Sequence, residues 1–137
     1  MSTSTSTHKI RQLNDSFRRS LIFGGTVLVT RGVQALSEPD RQALFAAVRR
    51  FDSFTADNDP HGEHDFGSID QFGVRYFWKI DYYDLERLQG SPDAADPTVT
   101  HRVLTIMRAD EYASASLGDR PMPRSKSLRA RSYCFEK

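Results

Sequence analysis

The segment Val74–Tyr83 limits what this chain can become more than any other. Val74, Tyr76, Trp78, Ile80 and Tyr82 alternate with Arg75, Phe77, Lys79, Asp81 and Tyr83. A period of two residues is the signature of a strand with one face in a core. Phe77 and Tyr83 on the second face predict that this face is partly covered as well. Asp65 to Asp70 reads as an antiparallel partner, reached through a tight turn containing Gln71-Phe72-Gly73. The sequence leaves the turn at two or three residues. In the three-residue register Glu63 faces Asp81 and Asp65 faces Lys79, and the other register shifts each partner by one.

Helices are expected around this hairpin. Ile10, Leu13, Phe17 and Leu21 recur at helical spacing over about Thr7 to Leu21, with Arg11, Arg18 and Arg19 falling away from the stripe. Gly24-Gly25 breaks the chain, and Thr26 to Thr30 is rich enough in β-branched residues for a short strand. Ser37 as N-cap, with Pro39 in the first turn and Asp40 at capping-box spacing, starts a second helix that buries Leu44, Val48 and Phe51. Asp96-Pro97 resembles a third helix start, with Val99, Val103 and Ile106 as the buried stripe and an end near Tyr112. The expectation is an α+β fold, order α-β-α-β-β-α, with a small antiparallel sheet of about three strands packed with three helices. Residues 1–6 read as a disordered leader, 7–113 as a single domain and 114–137 as a mobile basic tail.

With 137 residues, 38% of them hydrophobic, the chain has apolar material for one modest core. No run approaches the roughly 20 apolar residues that span a bilayer, and the N-terminus lacks the pattern of a secretory signal. The lone cysteine, Cys134, excludes an intramolecular disulfide and suits a reducing cytoplasm. Net charge is only +1, but residues 52–96 hold 11 acidic and 3 basic side chains. The near-neutral total gives no general attraction to nucleic acid or membrane.

Asp57-Asn-Asp-Pro-His-Gly-Glu-His-Asp65 concentrates histidines and carboxylates. The hairpin should bring Lys79, Asp81 and Asp84 back toward it. Asp57, Asp59, His61, Glu63, His64, Asp65, Lys79, Asp81 and Asp84 therefore form the candidate binding surface. His61, His64 and Asp81 are a two-histidine, one-carboxylate set of the kind that holds a divalent metal and activates water. The competing reading is structural: Asn58-Asp59-Pro60 forms turns, and the histidines and carboxylates pair among themselves. Arg75, Phe77 and Lys79 offer a weaker platform for stacking RNA bases, and the basic tail a non-specific contact to phosphates. There is no Walker-type or dinucleotide-type phosphate loop and no serine elbow.

The motifs Ile10-Arg-Gln-Leu-Asn-Asp15 with Phe17-Arg18, Asp57 to Gly67, Phe77-Trp-Lys-Ile-Asp-Tyr-Tyr-Asp84, Gly90-Ser-Pro-Asp93 and Arg102-Val-Leu-Thr-Ile-Met107 with Glu111-Tyr112 resemble an alphaproteobacterial family, domain of unknown function 3768. The resemblance spans about residues 10–112, with Ala94 standing where family members tend to carry a second proline. It implies small cytoplasmic bacterial proteins, many encoded on plasmids or other mobile elements, and brings no activity with it. The function expected is a non-enzymatic accessory or regulatory protein, without a cofactor, binding a protein partner through the acidic loop surface. The alternative is a metal-dependent hydrolase, a phosphodiesterase or nuclease, using the His/Asp/Glu loop.

Overall fold

A computed structural model describes the backbone of residues 2–115 and the side chains of residues 6–112. The elements are α1 (Ser2–Ser20), β1 (Gly25–Val29), α2 (Arg31–Gln34), α3 (Glu38–Arg50), β2 (Phe66–Gln71), β3 (Val74–Tyr83), β4 (His101–Arg108) and α4 (Ala109–Ala115). The fold is α+β. Its sheet has four strands in the order β1-β4-β3-β2. The β2–β3 and β3–β4 pairs are antiparallel, and the β1–β4 pair is parallel.

The expected three-stranded antiparallel sheet is thus corrected to a four-stranded mixed one. The difference lies in residues 97–112, where a helix was expected and β4 stands. Arg102 to Met107 are all buried. A central strand buried on both faces carries no period of two, and a short apolar run of this kind is ambiguous between helix and strand. Asp96, the expected helix cap, accepts from the Thr98 amide at 2.9 Å and the Thr98 hydroxyl at 2.6 Å. It closes a turn rather than a helix. The short α2, absent from the sequence expectation, fills the bend between β1 and α3. Residues 2–6, expected as a leader, continue α1: Ser and Thr are weak helix formers, not breakers. The expected basic tail lies outside the described residues except for positions 114 and 115, which close α4.

The second helix follows its start signal. The Ser37 hydroxyl accepts from the Asp40 amide at 3.3 Å, and Leu44 and Val48 are fully buried. The hairpin turn is the two-residue one. Gln71 pairs with Val74, and Phe72 and Gly73 both have positive φ, 58° and 74°, as a type I′ turn requires. One face of β3 (Tyr76, Trp78, Ile80, Tyr82) and of β4 (Leu104, Ile106) joins Ile10, Phe17, Leu44 and Val48 in the core under α1 and α3. The other face carries Phe77, Lys79 and Asp81, opposite Met107, Thr105 and Val103. Here Tyr112 of α4 packs edge-on against Phe77 with ring centroids 5.4 Å apart.

The topology sends three connections, 21–24, 51–65 and 84–100, to one end of the sheet. At the opposite end lie the Phe72-Gly73 turn and the β4–α4 junction.

Candidate functional site

The two-residue turn fixes what faces what at the loop end. Phe66 pairs with Lys79, and the Ile80 amide donates to the Asp65 carbonyl at 2.9 Å. Continuing the register sets Glu63 opposite Tyr82, and the Tyr82 hydroxyl donates to Glu63 Oε1 at 2.8 Å. A one-residue slip would have exchanged the two faces of the strand. Lys79 and Asp81 therefore point to the far face, where they form a buried ion pair with each other. They are not brought to the 57–65 loop.

Within that loop the polar groups turn inward. Asn58 Oδ1 accepts from the Thr55 amide at 2.9 Å, and its Nδ2 donates to the Ser53 carbonyl at 2.9 Å. Asp59 is buried, and its Oδ1 accepts from the His64 amide at 3.0 Å. That bond holds His64 in the left-handed region, at φ 57°. The ring then lies flat on Phe54, with centroids 3.7 Å apart and planes 4° from parallel. Its Nδ1 sits 2.9 Å from Asp15 Oδ1, and its Nε2 sits 3.7 Å from Asp59 Oδ2. His64 thus links the loop to α1. Asp57 and His61 are exposed, and Asp65 is half-buried. Asp84 Oδ1 accepts from the Leu88 amide at 2.9 Å and closes its own turn. Among the described residues no three His, Cys, Asp or Glu side chains converge as metal ligands would. His61, His64 and Asp81 are divided between the loop and the far face of the sheet.

Two buried polar groups of α1, outside the sequence-derived site, organise this end. Asn14 donates to the Glu63 carbonyl at 3.0 Å and to the Tyr82 hydroxyl at 2.8 Å. Its Oδ1 accepts from Arg102 Nε at 2.7 Å. Arg102 Nη2 donates to the Ala94 carbonyl at 2.5 Å, and its guanidinium lies 5.1 Å from the Tyr82 ring centroid. Burial, reinforced by the Asp65 and Glu63 charges, raises the Tyr82 pKa well above 10, so the phenol stays neutral. Burial also lowers the Arg102 pKa, opposed by Tyr82 and Glu63.

One turn further on, Arg18 is 1% exposed. It pairs with Asp15 at 3.0 Å and lies 5.5 Å from the Phe54 ring centroid and 5.3 Å from that of Trp78. Burial lowers its pKa, and Asp15 opposes this. The expected solvent-facing position for Arg18 is therefore corrected. The inward stripe of α1 is Ile10, Asn14, Phe17, Arg18 and Leu21, which is equally regular at helical spacing but includes two polar residues. The signal was their i, i+4 placement beside Phe17.

The site is thus a polar bracket joining α1, the 51–65 loop, β3 and β4 in an α+β fold. The family model described as "Protein of unknown function (DUF3768)" matches residues 29–111, and the chain belongs to that family. No curated protein and no solved structure matches it. The matched segment covers the loop, the hairpin, Arg102 and Glu111, and starts after Asn14, Asp15 and Arg18. No helix among the described residues is long and apolar enough to cross a membrane.

Proposed function

We propose that this protein is a non-enzymatic accessory protein that binds a protein partner through the loop end of its sheet. One observation carries the reading. The 84–100 connection exposes Leu85 at 60% and Leu88 at 79%, with the charged side chains of Glu86 and Arg87 exposed between them. Large apolar side chains left in water beside charge are a common feature of recognition surfaces. Ile22 and Phe23, exposed at 70% and 76%, stand at the same end. Asp57 adds a further outward carboxylate, whereas Asp59, Glu63 and His64 are engaged inside the fold.

The chemistry of this surface suits a partner segment with basic residues around an apolar side chain. A photo-crosslinking residue placed at Leu88 in the native host should give one discrete protein adduct that high salt weakens. The same residue at Phe72, exposed at the opposite end of the sheet, should give none. Equal labelling at both positions, or none at Leu88, would overturn the reading.

A further inference from the structure

Arg102 is 3% exposed, yet it forms no ion pair among the described residues. Among the described residues its side-chain hydrogen bonds go to neutral acceptors, the Asn14 amide oxygen and the Ala94 carbonyl. The carboxylate whose field reaches it, Glu63, is held by the Tyr82 hydroxyl. A buried guanidinium without a carboxylate on it is costly unless something supplies the negative charge.

Arg102 also lines a cleft of about 400 Å³ between α1, the 21–25 turn and the start of β4. Leu13, Phe17, Phe23 and Pro97 give the cleft apolar walls, and His101 lies beside Arg102. The walls are held in place. The Thr100 hydroxyl donates to the Asp93 carbonyl at 2.7 Å and bonds the Ser91 hydroxyl at 2.7 Å. His101 Nε2 lies 2.8 Å from the Thr26 hydroxyl. A concave site with apolar walls and a cation at its edge is how small organic acids are recognised.

We infer that this cleft binds a small monocarboxylic acid, its carboxylate on Arg102 and its hydrocarbon body against Phe17, Phe23 and Pro97. Single charge is part of the assignment. Asp93 and Asp96 stand on the segment that carries Pro97, within the acidic stretch 52–96, and would repel a phosphate dianion. The volume, near the lower end of the usual range for ligand pockets, suits a body of hexanoate or benzoate size. The inference does not rest on the protein-partner reading: Phe23 is common to both surfaces, but Arg102 takes no part in the partner surface and Leu85 and Leu88 do not line the cleft.

The test is calorimetric titration and thermal unfolding of the full chain with hexanoate and benzoate, against hexanamide and benzamide. The acids should bind and raise the unfolding temperature, and the neutral amides should do neither. Ser16→Trp places a ring in the cleft from an exposed position of α1 and should weaken acid binding by about tenfold or more. Arg102→Met should abolish it, and Ser16→Trp carries the test if Arg102→Met fails to fold. Equal behaviour of acids and amides, unchanged affinity in Ser16→Trp, or tighter binding of inorganic phosphate would overturn the inference. Tighter binding of a leucine-terminated tripeptide with a free carboxylate than of hexanoate would overturn the assignment to a free acid.

Discussion

Tyr82 donates its phenolic hydrogen to Glu63 at 2.8 Å while accepting one from Asn14 at 2.8 Å. The hydroxyl thereby joins the 51–65 loop to α1 across β3. Tyr82→Phe leaves the buried Asn14 and the half-buried Glu63 each short of a partner, which costs about 1–3 kcal/mol. Urea denaturation at neutral pH should show this loss. The wild type should also carry an alkaline limb. Folding raises the Tyr82 pKa, so its contribution is intact below the unfolded value of about 10 and is lost as pH rises through the folded value. Unfolding midpoints above pH 10 should fall less steeply in Tyr82→Phe than in the wild type.

Gly67 is set by Trp78. A Cβ at position 67 would lie 2.3 Å from Trp78 Nε1, 2.6 Å from Cε2 and 2.9 Å from the Phe51 ring. Trp78 is fully buried, so its ring cannot yield into solvent. Gly67→Ala should destabilise by about 1–3 kcal/mol, the usual cost of overpacking. Trp78 is the only tryptophan, which makes fluorescence a direct readout. A red-shifted emission in the folded Gly67→Ala protein is expected, and an unshifted spectrum with unchanged stability would count against this packing.

The same residues show what the sequence discloses. The period of two in Val74–Tyr83 is written in the side chains, because one face meets the apolar core and the other carries Arg75 in water and the buried Lys79–Asp81 pair. The Ser37 cap is equally legible, since it is a local interaction. β4 is hidden because it lies between β1 and β3 with both faces buried, so its pattern reflects burial alone. The contents of the site were half legible. Acid and histidine in 57–65 mark the loop, but the partner of each group depends on a turn length that Phe72-Gly73 leaves open. One residue of register replaces Asp81 with Tyr82. Arg18 reads as a solvent position and Asn14 carries no mark in the sequence, because their burial is decided by Phe54, Trp78, Tyr82 and Arg102, all contributed through tertiary contact.

Arg18 places a guanidinium between the Phe54 and Trp78 rings and within 3.4 Å of the Val48 and Arg49 carbonyls. Its planarity and extended charge are what this slot uses. Arg18→Lys keeps the charge but concentrates it on one buried atom, and should destabilise more than Arg18→Met, which fills the slot without a charge to desolvate. Asp15 tolerates the methionine because His64 and solvent remain to it, with 16% of its side chain exposed. The gap between the two variants should be about 1 kcal/mol. Denaturant midpoints at fixed ionic strength measure it, and the reverse order would refute the slot as drawn.

His64 combines a favourable ring with an unfavourable backbone. At φ 57° a residue with a Cβ gives up about 1 kcal/mol relative to glycine. The Phe54 stack, the Asp15 contact and the Asp59 bond to its amide hold it there. His64→Ala removes the stack and the Asp15 contact yet keeps the strain, and should lose about 1–2 kcal/mol. His64→Gly removes the same contacts but relieves the strain. Glycine should therefore be the milder substitution, contrary to its usual rank below alanine. Paired denaturation curves of the two variants decide the matter. If alanine proves the more stable, the backbone at 64 is not left-handed in solution, and the Asp59–His64 bracket that closes the loop onto α1 is lost with it.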